Sequence, residues 1–315
     1  MSFAMTFPGQ GSQSVGMLAD LGQAVPEVMQ TFEQASAILG YDLWHLVQHG
    51  PEEVLGQTSR TQPALLTAGV AVFRAWIARG GPMPLSMAGH SLGEYTALTC
   101  AGCLHFDEAV RLVNYRGEVM QAAVPLGTGA MAAILGLEDE DVVSACAEAT
   151  DQQVVEAANF NAPGQVVIAG DKAAVDRAVD LAKARGARRA VVLQVSVPSH
   201  CSLMRGAADT LSERLADISI GSGEVPVFQN VDARTHSEPD DIRSALSQQL
   251  YRPVRWNESI KAMQASGARM FAEVGPGRVL TGLMRRIDRS LEAMSLHDEV
   301  SLDSGLSRME SGEEK

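Results

Sequence analysis

The stretch Gly89-His90-Ser91-Leu92-Gly93 holds the chemically richest spacing in this chain. It follows the short apolar run Leu85-Ser86-Met87-Ala88 and leads into a helical stretch from Glu94. A serine on a sharp strand-to-helix turn projects its hydroxyl into open space. Small neighbours let the turn close, and the N–H after the serine can face a developing oxyanion. Five residues of this kind also arise by chance in Gly-rich connections, so the strand–turn–helix context carries the weight. Ser91 is the candidate nucleophile.

A serine nucleophile needs a base, and His200 is the best placed of seven histidines. It follows Pro198-Ser199 and stands four residues before Met204, on the apolar stripe Met204, Ala207, Ala208, Leu211, Leu215. Ser199 is expected to cap that helix, whose N-terminus would disfavour a charged imidazolium. On periodicity alone, a core histidine satisfied by backbone is an equal reading; beside a Ser91 elbow, the base is preferred. His90 adjoins Ser91 but is expected to shape the pocket and not to act as base. His45, His49, His105, His236 and His297 read as loop or surface positions.

Arg116 is the most informative single residue. The helix from Asp107 has apolar positions Ala109, Leu112, Val113 and Met120, and Arg116 falls within that stripe. A buried guanidinium needs a partner, because an unpaired buried charge costs several kcal/mol or more. Either an internal Asp or Glu supplies it, or a substrate carboxylate does, gripped by both arms of the guanidinium. Gln249 poses a similar question. It completes the apolar face Ile242, Ala245, Leu246 before Pro253 ends the helix, and the chain near it is expected to orient His200, since no Asp or Glu stands in an obvious position to do so.

Two other patterns carry less. Gly9-Gln10-Gly11-Ser12-Gln13-Ser14 fails as a dinucleotide fingerprint at its third glycine, and no acidic residue ends a following strand about 20 residues on. Cys100 and Cys103 form a CxxC, but no second pair or nearby His completes a metal site, so small buried thiols are expected and no metal.

These residues need elements to position them. Phe3 to Phe7, Leu85 to Ala88 and Met270 to Val274 read as strands, each followed by a Gly turn and a helix, which implies an α/β domain with a mostly parallel sheet. The middle reads differently. Ala130 to Leu137 is a strand, Asp139 to Ala149 a helix, Val154 to Asn159 and Gln165 to Gly170 strands around Asn161-Ala162-Pro163-Gly164, Asp171 to Arg185 a helix and Ala187 to Val195 a strand. That order, βαββαβ, is ferredoxin-like. The expected organisation is a discontinuous large domain, 1–127 and 199–289, with a small subdomain at 128–198 inserted. The acidic residues of 290–315, among them Glu292, Asp303, Glu313 and Glu314, suggest a frayed tail.

Composition narrows the function classes. The chain has 315 residues, 46% hydrophobic and 20% charged, which excludes disorder. Its net charge of −13 argues against nucleic acid or an anionic membrane as partner. No apolar run is long enough to cross a bilayer, and the first residues lack the basic start of a signal peptide. Four cysteines make no disulfide framework, so the cytoplasm is the expected compartment.

Together, Phe7-Pro8-Gly9-Gln10-Gly11-Ser12-Gln13, Gly89 to Tyr95, Asn159-Phe160-Asn161-Ala162-Pro163-Gly164-Gln165, Pro198-Ser199-His200 and Glu273-Val274-Gly275-Pro276-Gly277 resemble the bacterial malonyl-CoA:acyl carrier protein transacylases, part of the acyltransferase family of fatty acid and polyketide synthesis. The resemblance runs from about residue 3 to 287. It implies an α/β-hydrolase-like core with a ferredoxin-like insertion. It also implies roles: Ser91 is acylated and His200 is the base, Gln10 and Leu92 give backbone N–H groups to the oxyanion, Arg116 grips the malonyl carboxylate, Gln249 orients His200 through its main-chain carbonyl, and His90 and Asn161 line the pocket. The substrates implied are malonyl-CoA and a holo-acyl carrier protein, with a coenzyme A thioester consumed and no cofactor bound permanently.

A carrier of this kind is acidic, so a local basic surface must receive it. Lys183, Arg188 and Arg189, with Arg285 and Arg286, are the candidate docking residues; a plain solvated helix face is the alternative. The rival functions are a serine hydrolase, which would need an acidic third member and no pocket arginine; a same-fold acyltransferase serving malonate decarboxylation or a polyketide pathway; and a non-catalytic docking subunit, which would lack Ser91, His200 or Arg116.

Overall fold

In the computed structural model, which describes residues 2–125, 127–193, 195 and 197–312, the strands are β1 (Phe3–Phe7), β2 (Ser86–Gly89), β3 (Gly129–Leu135), β4 (Val155–Ala162), β5 (Gln165–Asp171), β6 (Arg189–Val192), β7 (Val227–Phe228), β8 (Met270–Val274) and β9 (Glu292–Leu296). They form two sheets. The first is parallel throughout, in the order β7-β2-β1-β8-β9. Every residue of β1, β2 and β8 is buried. A parallel sheet covered by helices on both faces calls for such continuous burial in place of alternation.

Helices rich in small residues cover that sheet. The longest, Thr58–Ala78, is buried along most of its length. Where it meets the helix Leu92–Cys100, a Cβ on Gly69 would lie 2.6 Å from the Thr96 methyl, so glycine sets how closely the two helices approach.

The second sheet is antiparallel, in the order β4-β5-β3-β6, with the helices Asp139–Ala149 and Lys172–Ala184 on one face. This is the ferredoxin-like arrangement of a βαββαβ unit. Side chains alternate across it. Ala132, Ile134, Val166 and Ile168 pack on the helices, while Met131, Val167 and Ala169 face the larger body and meet Cys201 and Leu203. The sheet is stitched to that body at its β4 edge, where Phe160 N–H donates to the Val254 carbonyl and Val254 N–H to the Ala158 carbonyl, each at 2.9 Å. The chain enters and leaves the subdomain side by side, since a Cβ on Gly129 would stand 2.5 Å from the Pro198 ring. The strand read over Ala187 to Val195 is shorter, Arg189–Val192, and its residue 194 lies outside the described residues.

The expectation of a frayed tail from residue 290 is overturned. Glu292–Leu296 adds β9 to the parallel sheet in register with β8, and Glu299–Gly312 is a helix. Leu302 and Met309 are buried and Leu306 packs beside them, one apolar stripe that the acidic composition masked. Several of the acidic residues have partners as well. Arg79 pairs with Glu299 at 3.1 Å and with Asp303, and Arg308 pairs with Glu292. Glu313 and Glu314 lie outside the described residues.

Candidate active site

Ser91 sits where β2 turns into the helix Leu92–Cys100, at φ 53° and ψ −112°. Only bare backbone closes this turn. A Cβ on Gly89 would fall 1.8 Å from the Gly93 carbonyl, and one on Gly93 would fall 2.0 Å from the Phe7 oxygen. Side-chain amides hold the strained residue from both ends. Asn230 Oδ1 accepts from Ser91 N–H at 2.7 Å, and Gln249 Nε2 donates to the Ser91 carbonyl at 3.0 Å.

His200 lies opposite. It is buried, and its Nε2 is 2.8 Å from Ser91 Oγ. Nδ1 is 2.7 Å from the main-chain oxygen of Gln249, an acceptor only. Nδ1 therefore carries the ring proton, and Nε2 is free to accept one from the serine. The route to this position differs from the expected one. Ser199 caps no helix; its hydroxyl points to Met131 sulfur at 3.5 Å. His200 occupies a left-handed turn at φ 64°, followed by a 3-10 turn, Ser202–Met204, before the helix Arg205–Ala216. A helix dipole is thus not what keeps the ring neutral. Burial is the main cause and the charge of Arg116 the next, and together they push His200 down to about 3.

Arg116, on the helix Phe106–Ala123, is 1% exposed. Its Nη1 donates to Gln62 Oε1 at 2.7 Å, and its Nη2 to Gln249 Oε1 at 2.9 Å and, at a weak 3.5 Å, to Ser91 Oγ. Tyr95 stacks beneath it, 5.3 Å from the ring centroid. Among the described residues no carboxylate comes within ion-pair distance of it. The internal salt bridge that the sequence left open is absent, and neutral amides surround the guanidinium instead.

These groups share a cavity of about 210 Å³ beneath the second sheet. Gln10 and Leu92 line it. Leu92 opens its helix, so its N–H is a first-turn donor with no carbonyl one turn back. Asn161 and His90 line it too and are joined across the two bodies, His90 Nε2 to Asn161 Oδ1 at 2.8 Å. Burial lowers the His90 pKa, and the ring packs against Trp256. Met131, Val167 and Leu193 form an apolar roof, with Leu280 and Leu283 along one wall. Gln249 stands behind the cavity and not in it, acting through both its main chain and its amide. None of the other five histidines lines the cavity.

Sequence reasoning missed three contributors, Gln62, Asn230 and Glu94. Gln62 and Glu94 left a signal, each being a polar side chain within an otherwise buried helical run. Asn230 left none, because it sits in an irregular turn after β7. Cys100 and Cys103 are free, buried thiols, and among the described residues no cluster of His, Cys, Asp and Glu gathers as it would around a metal. No described helix is long and apolar enough to cross a membrane.

The arrangement can activate a serine, receive an oxyanion and hold an anionic group within one cavity. The acyl transferase domain family matches residues 5–302. The malonyl CoA-acyl carrier protein transacylase of Escherichia coli (strain K12) is 56% identical over 304 residues, spanning 96% of this chain and 98% of that protein. Among solved structures, the malonyl CoA-acyl carrier protein transacylase of Coxiella burnetii aligns with a TM-score of 0.97 at 55% identity, covering 98% of each chain. A type II polyketide-synthase acyl-carrier protein in complex with its malonyl-transacylase provides another match, with a TM-score of 0.97, 55% identity and coverage of 98% of this chain and 100% of that one.

Proposed function

This chain belongs to the acyl transferase family, and we propose that it carries malonyl groups from coenzyme A to the phosphopantetheine thiol of a holo-acyl carrier protein through an ester on Ser91. The observation that carries this reading is the sharing of Ser91 Oγ. It lies 2.8 Å from His200 Nε2 and 3.5 Å from Arg116 Nη2, so an acyl group seated on the serine ends beside a buried guanidinium.

The contacts support the following cycle. His200 Nε2 takes the Ser91 proton as Oγ attacks the thioester carbonyl carbon. The oxyanion is received by the N–H groups of Gln10 and Leu92. The carbon–sulfur bond breaks, and coenzyme A leaves with the proton from His200. The carrier thiol then gives its proton to His200, attacks the ester, and returns the serine hydroxyl. Every proton is handled by His200 and every charge by fixed protein donors, so the cycle calls for no metal or redox group; the coenzyme A thioester is a substrate. His200 is held low by burial first and by Arg116 second. A substrate carboxylate that cancels the guanidinium's charge removes the second cause and raises the base strength of the ring as the proton has to move.

The serine-hydrolase alternative asks for an acidic residue behind the histidine, and here that place is taken by the Gln249 carbonyl. The polyketide-synthase complex of the 55% identical transacylase keeps a polyketide carrier as a second reading of the partner, beside the carrier of fatty acid synthesis. Relative discharge rates with the two carriers separate them.

For docking, Arg286 Nη1 donates at 2.7 Å to Oε1 of Gln165, a cavity-lining residue. Gln165 and Arg189 both pair with Leu135, from opposite sides, which sets them about 10 Å apart. Arg188 packs against Gly136 at the same end of the sheet. Arg188, Arg189 and Arg286 thus form the proposed basic rim, and Arg285 adds a second cation in the last turn of the helix that carries Arg286. Lys183 pairs with Asp180 at 3.3 Å on the helix layer, on the other face of the sheet from the cavity. Cysteines that are all free and buried suit a reducing compartment, and the cytoplasm is the proposed location.

Intact-mass measurement tests the reading. Incubation with malonyl-CoA is expected to add one malonyl group, which holo-carrier then removes; Ser91→Ala is expected to gain nothing. Persistent labelling of that variant, or release of free malonate as fast as thiol transfer, would overturn it.

A further inference from the structure

Glu94 is a fully buried carboxylate that the transfer cycle does not use. Its Oε2 accepts two hydrogen bonds, from Asn230 N–H at 2.8 Å and from Gln249 Nε2 at 3.0 Å. Its Oε1 has no hydrogen-bond partner among the described residues. On the far side of the same Gln249 amide, Oε1 accepts from Arg116 Nη2 at 2.9 Å. One carboxamide therefore stands between a buried cation and a buried anion, its oxygen toward the cation and its nitrogen toward the anion. The two bonds fix which way the amide points, and its dipole is favourable to both charges. Removal of either charge would leave the other buried without compensation.

We propose that Glu94 is the counter-charge of Arg116, relayed through the Gln249 amide, and that the substrate carboxylate competes with it for the guanidinium. Glu94 is then a specificity-determining positioning residue that touches no substrate. It holds Arg116 in place and limits how tightly the acyl carboxylate is gripped, so that the malonyl group is selected yet still passes to the thiol. The inference rests on Arg116 being the carboxylate site. The charged and titratable groups around Glu94 are Arg116, Tyr95 on its own helix and Asp232 beyond β7. Burial raises its pKa to about 7, so at pH 8 it carries its charge.

Glu94→Gln keeps a carbonyl oxygen for both donors and removes the charge. At pH 8 its KM for malonyl-CoA is expected to fall about tenfold while that for acetyl-CoA stays put, the size expected of one unit charge a few ångströms behind the site in a medium of intermediate dielectric. A KM for malonyl-CoA that is unchanged or raised, or one that moves in parallel with that for acetyl-CoA, overturns the proposal. Denaturant unfolding of Glu94→Gln, Arg116→Met and the double variant gives an independent reading. The double variant is expected to be more stable than the sum of the single losses predicts; if Glu94→Gln alone fails to fold, the double variant is expected to fold. Additive losses, or a double variant no better than Glu94→Gln, overturn the relay. Equal damage to malonyl and acetyl transfer in Arg116→Ala would sink the carboxylate-site reading itself and leave the relay to be judged by the unfolding cycle.

Discussion

Two buried glutamates stand on either side of β1, Glu94 in the first turn of the helix that follows β2 and Glu273 within β8, ahead of the Gly turn that leads into the helix Val279–Ile287. Their surroundings differ. Both oxygens of Glu273 are answered at the start of the helix Val279–Ile287, Oε1 by Leu280 N–H at 3.0 Å and Oε2 by Thr281 N–H at 2.8 Å and its hydroxyl at 2.7 Å. Those N–H groups have no carbonyl one turn back, and the helix dipole favours a negative charge there. Glu94 uses one oxygen, and its tie to Arg116 runs through a side-chain amide. A carboxylate fully answered by backbone pins a helix in place. One answered by half, facing a cation across an amide, stays responsive to what else that cation meets.

Three experiments would break or sharpen this contrast. Arg116→Ala is expected to lower kcat/KM for malonyl transfer by about 10³–10⁴ while acetyl transfer falls by no more than about tenfold, because a site built around a charged partner loses most when that pairing goes. Parallel losses with the two donors would make the elbow side as purely structural as the β8 side. Glu273→Ala is expected to cost about 3 kcal/mol in denaturant unfolding, since it strands buried first-turn donors. The ratio of malonyl to acetyl transfer should hold; a shifted ratio would give Glu273 a share in selectivity. The smallest effect is expected at the far end of the helix that Glu273 anchors. Charge reversal at Arg285 and Arg286 together should raise the carrier's KM by about three- to tenfold and leave acylation by malonyl-CoA unchanged. No change in the carrier's KM would remove these residues from the docking surface.

The contrast also bears on what a sequence discloses. Ser91, His200 and Arg116 were legible because each is a reactive or charged type on a turn or stripe that geometry otherwise reserves for small or apolar residues. The strand–Gly–helix units and the βαββαβ order were legible for the same kind of reason, periodicity plus turn chemistry. Glu94 and Gln62 were visible at best as polar residues out of place, and Asn230 not at all. What each does depends on partners far away in the chain, as with Asn230, 139 positions from Ser91, and no local pattern encodes such a meeting. His200 shows a local pattern misleading. Ser199 had the look of a cap and Met204 to Leu215 a helical period, yet the chain spends residues 200–204 on a left-handed turn and a 3-10 turn. In the C-terminal segment, charge hid the stripe of Leu302, Leu306 and Met309 that docks it.

The backbone at Ser91 also restricts which residue could inherit its task. At φ 53° and ψ −112° the Cβ is crowded by the peptides before and after it, and a second branch on it adds to that crowding. Threonine, although it offers the same hydroxyl, is disfavoured in the elbow by its methyl group, whereas cysteine, unbranched and of similar length, adds no such crowding. Divergence at this position can therefore exchange oxygen for sulfur more readily than it can exchange one alcohol for another.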